Sequence, residues 1–303
     1  MSMQGLIAAV HSPFDSAGEL LCSAVDGQLR LLLEQGVSGV FVCGSTGESH
    51  SLSLEERLTL AERWAAAVRG TPMKLIIHVG ANCLRDAQML ARHAQTLQAA
   101  AISAQAPSYF RPKSPLELCD WCQAIAASAA QTPFYFYDIP SMTGVHLSMP
   151  DLLDLAGERI PNFAGLKFTN PDLMSYQLCQ RAQGGRFDIA FGIDEMLLAA
   201  AVLGARGAVG SSYNFAAPIY LQILKHLAAG RLEEAREHQY RSVLLIRLLA
   251  SAGYLAAARE VMGMLGAPVG PPRQPNSRLD EAAREKLKSS LEQLGFFDWI
   301  RRG

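Results

Sequence analysis

The sequence predicts an α/β protein: a (β/α)8 barrel of parallel strands, each followed by a helix, with a C-terminal helical extension. Three observations predict it. Short apolar runs alternate with longer stretches of helical periodicity, and eight such units can be counted. Strands joined in this way need helical crossovers and so run parallel. The eight units fill roughly the first 230 residues, which is the span of such a barrel. An open doubly wound sheet has the same alternation, but it needs a glycine-rich dinucleotide turn after the first strand. There the chain reads His11-Ser12-Pro13-Phe14.

The elements follow in order. The first run, residues 5–10, leads through a polar segment to a helix over 25–35 that Gly36 stops. The second, 39–43, is followed by Gly44-Ser45-Thr46-Gly47-Glu48. Ser53 and Glu56 have the spacing of a capping box and open a helix that runs to 69. The third run, 74–79, yields at Gly80 to a helix over 85–97, and the fourth, 100–106, reaches Pro107 before a helix over 114–130. The fifth, 134–139, is dense in aromatics and ends at Pro140, with a helix over 149–156 beyond it. The sixth is 163–168 with a helix over 171–183, and the seventh is 187–191 with a helix over 196–203. The eighth, 207–209, passes through Gly210 and Ser211 into a helix over 216–228. Three further helices are expected at 232–249, 252–264 and 279–294. The expected organisation is therefore residues 1–229 as the site-bearing barrel and 230–303 as helices packed on it.

Composition narrows the function. The 303 residues are half hydrophobic, and the net charge is −1. No basic stripe or run of like charge is present, which argues against a nucleic-acid partner. No apolar run approaches the roughly 20 residues needed to span a bilayer. The opening residues carry no basic region ahead of a long apolar core, so no signal peptide is expected. A cytoplasmic protein with no membrane partner is the expectation. Cys119 and Cys122 have a redox or half-zinc spacing, but they fall in helical text and no second pair completes four ligands. Reduced, structural thiols and no metal are expected.

The segment Phe163-Ala-Gly-Leu-Lys-Phe-Thr169 carries the chemistry. Of the six lysines, Lys167 alone sits at the C-terminal end of a buried-looking strand. Burial disfavours an ammonium, and a neutral amine at a pocket floor is a nucleophile for carbonyls. The plainer reading is a lysine paired with a carboxylate or snorkelling to solvent. Barrel sites form at the C-terminal strand ends. The polar residues expected there are Ser45, Thr46, Glu48, His78, Tyr109, Tyr137, Asp138, Thr169, Asp194, Glu195 and Ser211, around Lys167. A lone lysine and an embedded tyrosine on adjacent strand ends point to imine chemistry, with Lys167 as nucleophile and the Tyr137 phenol as proton shuttle. Ser45 and Thr46 can hold a carboxylate through hydroxyls and backbone amides. Each piece has a plainer alternative. Tyr137 lies among aromatics and can be core, and His78 reads as a satisfied core histidine. Asp194 and Glu195 resemble a helix N-cap and a first-turn acid.

Taken together, Gly44-Ser45-Thr46-Gly47-Glu48, Tyr137-Asp138-Ile139-Pro140, Gly165-Leu166-Lys167-Phe168-Thr169, Gly192-Ile193-Asp194-Glu195 and Gly207-Ala208-Val209-Gly210-Ser211 resemble the pyruvate-dependent class I aldolases, a family that contains dihydrodipicolinate synthases and N-acetylneuraminate lyases. The resemblance covers essentially the whole chain. It implies a homotetramer, a Schiff base between pyruvate and Lys167, Tyr137 as proton relay, and no cofactor, because the imine is the electron sink. It also implies substrate contacts from Ser45, Thr46, Thr169, Gly192, Asp194, Glu195, Ser211 and Tyr109, the last near a subunit interface. The synthases usually carry an arginine after the tyrosine strand, where this chain has Met142, and a thioether cannot bind a carboxylate ionically. The segments around His78, Asn162, Asp194, Ser211 and Pro271 resemble the N-acetylneuraminate lyase branch, which implies a sugar-acid substrate. The alternatives are another member of the family, a dihydrodipicolinate synthase or a keto-deoxy sugar acid aldolase or dehydratase, and a barrel that binds sugar acids without catalysis.

Overall fold

A computed structural model describes residues 2–301, so Met1, Arg302 and Gly303, which the expected domain spans include, lie outside it. Eight parallel strands close a barrel in sequence order, and β1 pairs with both β2 and β8. They are β1 (Gly5–Ala9), β2 (Gly39–Val42), β3 (Lys74–His78), β4 (Ala101–Gln105), β5 (Phe134–Asp138), β6 (Phe163–Phe168), β7 (Asp188–Phe191) and β8 (Gly207–Gly210). The crossover helices are α1 (Val25–Glu34), α2 (Leu54–Val68), α3 (Leu84–Thr96), α4 (Pro115–Ala126), α5 (Met149–Arg159), α6 (Leu173–Arg181), α7 (Leu197–Val202) and α8 (Ala217–Ala228). Beyond them come α9 (Leu232–Ser251), α10 (Tyr254–Met264), α11 (Glu281–Leu294) and α12 (Phe296–Arg301).

Local chemistry sets these bounds. The expected capping box is present: Ser53 Oγ accepts from the Glu56 amide at 3.2 Å, and Glu56 Oε2 accepts from the Ser53 amide at 2.8 Å. Such a cap stabilises a helix by about 1 kcal/mol. Helix α6 is shorter than the sequence pattern predicts. Asp172 caps it by accepting from the Met174 and Ser175 amides, and Gln183 and Gly184 take left-handed backbone conformations that end the run. A single helical turn at Pro140–Thr143 and helix α12 were not in the expected pattern; both are short, and α12 restarts directly after Gly295, which caps α11 at φ 79°. Cys119 and Cys122 sit on the buried face of α4, and all six cysteines are free. Among the described residues, no single helix is long and apolar enough to cross a membrane.

The barrel interior is packed rather than hollow. Ile7, Phe41, Ile76, Ala101, Tyr135 and Val209 fill it, and a larger apolar layer lies between strands and helices. At the N-terminal end, Asp188 accepts from the Tyr135 hydroxyl at 2.9 Å, the Ser2 hydroxyl at 2.9 Å and the Met3 amide at 2.5 Å, which plugs the floor. At the other end, the register places Gln105 beside Tyr137 and Tyr137 beside Lys167. Strand pairing alone therefore delivers the amine and the phenol to one spot.

Candidate active site

The C-terminal strand ends open into a cavity of about 880 Å³. Its lining includes Ser45, Thr46, Tyr137, Lys167, Thr169, Gly192, Asp194, Glu195 and Ser211, so the strand-end residues named from sequence, with few exceptions, converge on one site. Lys167 is 3% exposed, and its Nζ lies 3.7 Å from the Tyr137 ring centroid and 4.3 Å from that of Phe41. Among the described residues no carboxylate lies within 4.0 Å of its Nζ, so it is not salt-bridged, and Asp194 feels its charge only from a greater distance. Tyr137 is held edge-on by Phe41 and His78, at ring-centroid distances of 5.8 and 6.0 Å. Its hydroxyl lies 3.4 Å from Ser45 Oγ. The phenol thus bridges the lysine and the loop that carries Ser45 and Thr46.

On the opposite wall, close approach dictates residue choice. A Cβ at Gly192 would sit 2.0 Å from Thr169 Oγ1, so only glycine leaves room for that threonine. Thr169 Oγ1 is itself buried without a partner among the described residues and is available to a ligand. A Cβ at Gly210 would sit 1.9 Å from Asp194 Oδ1. Asp194 does not cap the helix that follows it. Its Oδ2 accepts from the Ser212 amide at 2.9 Å and from the Ser212 hydroxyl, and burial pushes its carboxyl up to about 6 against those bonds. Glu195 is exposed at the cavity wall.

Other sequence-named residues settle differently. Tyr109 lies outside the cavity: it is 80% exposed and packs edge-on against Phe110, itself 85% exposed, at 5.0 Å. The loop after β4 carries both rings away from the barrel mouth, so within one chain Tyr109 does not reach the site. His78 is a core residue. Its Nδ1 donates to the Cys43 carbonyl at 2.8 Å, and burial pushes its pKa well below the usual range, so the ring is neutral. Glu48 faces the cavity, but its carboxylate is fully engaged by the C-terminal segment.

Tyr254, the first residue of α10, has no place in the strand-end pattern of the sequence. It lines the cavity, and its hydroxyl lies 2.8 Å from Ser211 Oγ. The one local signal is Gly253, whose φ of 85° starts α10 just where the tyrosine faces inward. Ile246, Leu255, Pro275 and Asn276 join it, so the cavity crosses the boundary drawn at residue 230. Among the described residues no group of three or more His, Cys, Asp or Glu side chains is placed to hold a metal ion.

An amine against a phenol, in a hydroxyl-lined cavity at the mouth of a closed parallel barrel, defines a barrel enzyme built to act on carbonyl compounds. The chain belongs to the dihydrodipicolinate synthetase family, whose model matches residues 2–294. It is 38% identical over 296 residues to the N-acetylneuraminate lyase of Gallus gallus, with 96% of each chain covered. It is 37% identical to that of Homo sapiens, over 98% of this chain and 93% of the other. Among solved structures it is similar to Proteus mirabilis N-acetylneuraminate lyase, with a TM-score of 0.95 at 38% identity, over 98% of this chain and 100% of that one.

Proposed function

We propose that the protein is an N-acetylneuraminate lyase, which cleaves the open-chain sugar acid reversibly to N-acetylmannosamine and pyruvate through an imine on Lys167. One observation carries the reading: Lys167 Nζ lies over the Tyr137 ring at the floor of a cavity walled by hydroxyls and carboxylates, with no arginine lining it among the described residues. Met142 stands at the rim, 68% exposed, and offers no cation for a second substrate carboxylate. That disfavours aspartate semialdehyde chemistry and suits a polyol.

The reaction runs as follows. Nζ adds to the keto carbon and water leaves, giving a protonated imine. The carbon–carbon bond one position beyond the imine carbon then breaks. Its electron pair moves into the imine to leave an enamine, the hydroxyl proton departs through the Tyr137 oxygen, and the former hydroxyl carbon becomes the aldehyde of N-acetylmannosamine. Protonation of the enamine and hydrolysis release pyruvate and restore the amine. Ser45 and Thr46 hold the carboxylate, while Thr169, Gly192, Asp194, Glu195, Ser211 and Tyr254 face the polyol. A cytoplasmic homotetramer, in which a neighbouring copy covers the exposed Tyr109 and Phe110, belongs to the same proposal; light scattering of the purified protein checks the assembly.

Borohydride with pyruvate should fix a three-carbon adduct on Lys167, and Lys167→Ala should give none. Tyr137→Phe should keep the adduct and slow pyruvate release from N-acetylneuraminate by about 100-fold or more. Absence of any adduct on the parent protein would overturn the imine. An adduct without pyruvate release from N-acetylneuraminate would overturn the substrate.

A further inference from the structure

The loop that carries Ser45 and Thr46 has an unusual path and an unusual restraint. Two of its residues other than glycine take left-handed backbone conformations, Cys43 at φ 59° and Glu48 at φ 51°. Such conformations persist only where surrounding structure over-determines them. At Glu48 that surrounding structure comes from more than 200 residues further along the chain. Its carboxylate accepts from Arg259 Nη1 at 2.8 Å, from the Arg273 amide at 3.0 Å and from Asn276 Nδ2 at 3.1 Å. Both side chains of the Glu48–Arg259 pair are 1% exposed.

Arg259 in turn joins three segments. Its Nη2 donates to the carbonyls of Ser12 and Val269, each at 2.8 Å, and its Nε donates to that of Gly270 at 2.8 Å. Ser12 closes the circuit, because its hydroxyl donates to the Gly47 carbonyl, one residue from Thr46. Arg273 adds a second tie, donating to the Ser51 carbonyl at 2.9 Å and forking onto Glu56 at the start of α2. A buried ion pair adds little stability over apolar side chains of the same volume. What a guanidinium fork supplies is fixed direction, through several donors in one plane.

We propose that Arg259 is a positioning residue for the keto-acid carboxylate: through Glu48 it sets the pose of Ser45 and Thr46, so that a C-terminal helix governs how tightly pyruvate is held. The proposal rests on the reading of Ser45 and Thr46 as the carboxylate-holding pair. Neither Arg259 nor Glu48 touches the reacting atoms. Their effect falls on ground-state binding of the keto acid more than on the amine, which β6 places, or on the phenol, which β5 places between Phe41 and His78.

The test is borohydride trapping of Lys167 over a range of pyruvate concentrations, read by intact mass. The parent, Thr46→Ala, Glu48→Gln, Glu48→Ala, Arg259→Lys and Arg259→Ala are compared. Thr46→Ala should raise the half-saturating pyruvate concentration. Glu48→Ala and Arg259→Ala should raise it about tenfold, with Glu48→Gln and Arg259→Lys in between, while trapping at saturation stays within about twofold of the parent. A role confined to stability would lower the melting temperature and the trapped fraction but leave the half-saturating concentration alone, and that result overturns the proposal. If the alanine variants do not fold, the Gln and Lys variants carry the same test: Glu48→Gln keeps the shape of the side chain and loses its charge, and Arg259→Lys keeps the charge and loses the planar fork. Failure of the parent to trap, or of Thr46→Ala to shift, defeats the underlying site reading instead.

Discussion

Replacing Asp138 with asparagine should stabilise the protein at alkaline pH and leave it nearly unchanged in acid. Asp138 ends β5, next to Tyr137 but on the outer face of the barrel wall, and it is 4% exposed. Among the described residues its carboxylate has a single hydrogen-bond donor, Asn170 Nδ2 at 3.3 Å, and its carbonyl accepts from the Thr169 amide at 2.8 Å. Burial pushes the carboxyl up from 3.8 to about 7, and the Asn170 bond offsets only part of this. The native state therefore holds this proton more tightly than the unfolded chain does. Stability from this group is fully present below pH 4 and is lost as pH rises towards 7. A rise of about three pH units corresponds to about 4 kcal/mol of order-of-magnitude cost at pH 8. Asparagine fills the same space, never ionises and still offers Asn170 an oxygen. Denaturant unfolding of both proteins at pH 4 and pH 8 measures the effect. The variant should gain several kcal/mol relative to the parent between the two pH values. Asp194, also pushed up by burial, is present in both proteins and cancels in the difference. A difference between the two proteins that does not change with pH would refute the reasoning, because it would mean that Asp138 ionises as freely when folded as when unfolded.

Three other perturbations probe the site. Gly192→Ala places a methyl 2.0 Å from Thr169 Oγ1 and 3.1 Å from Thr169 Cα, so the threonine must move. A cost of about 1–3 kcal/mol in stability and a raised KM for the sugar acid are expected, measured by thermal unfolding and pyruvate release. Tyr254→Phe removes the partner of Ser211, and the loss of about 1 kcal/mol of hydrogen bonding should raise KM for the polyol about fivefold with little change in pyruvate trapping. Glu195→Ala should likewise raise KM for polyol substrates while sparing pyruvate; loss of trapping would place Glu195 at the lysine end of the cavity instead.

Much of this architecture can be read from the chain because its strands are buried and short. Each is an apolar run closed by a glycine, a proline or a polar turn, and eight of them in alternation leave few topologies. Lys167 was legible for a related reason: a charged residue inside such a run needs an explanation that lysines on amphipathic helices do not. Tyr137 followed from being next in strand order, and the register brings the two residues side by side. The rest was hidden because it depends on contacts between distant segments. Nothing local to Glu48 announces Arg259, 211 positions away, and nothing local to Asp194 announces that Ser212 takes its carboxylate. Tyr109 is hidden in the same way. Its place just past a strand end does not tell which site it serves, and within one chain its ring is exposed, which leaves the expected place near a subunit interface open.

The C-terminal helices were expected to pack on a barrel whose residues 1–229 carry the site. A strand end fixes where a side chain starts, but the loops after the strands decide where a ligand carboxylate or polyol would sit. Here the loop after β2 holds a left-handed glutamate that depends on Arg259, and Ser211 after β8 depends on Tyr254. Both partners come from α10. The barrel thus places the amine and the phenol through strand register and the packing of Phe41 and His78, while α10 shapes the two flanking walls. Substitutions in β5 and β6 should therefore alter the chemical step, and substitutions in α10 should alter affinity, even though α10 contributes no reacting atom.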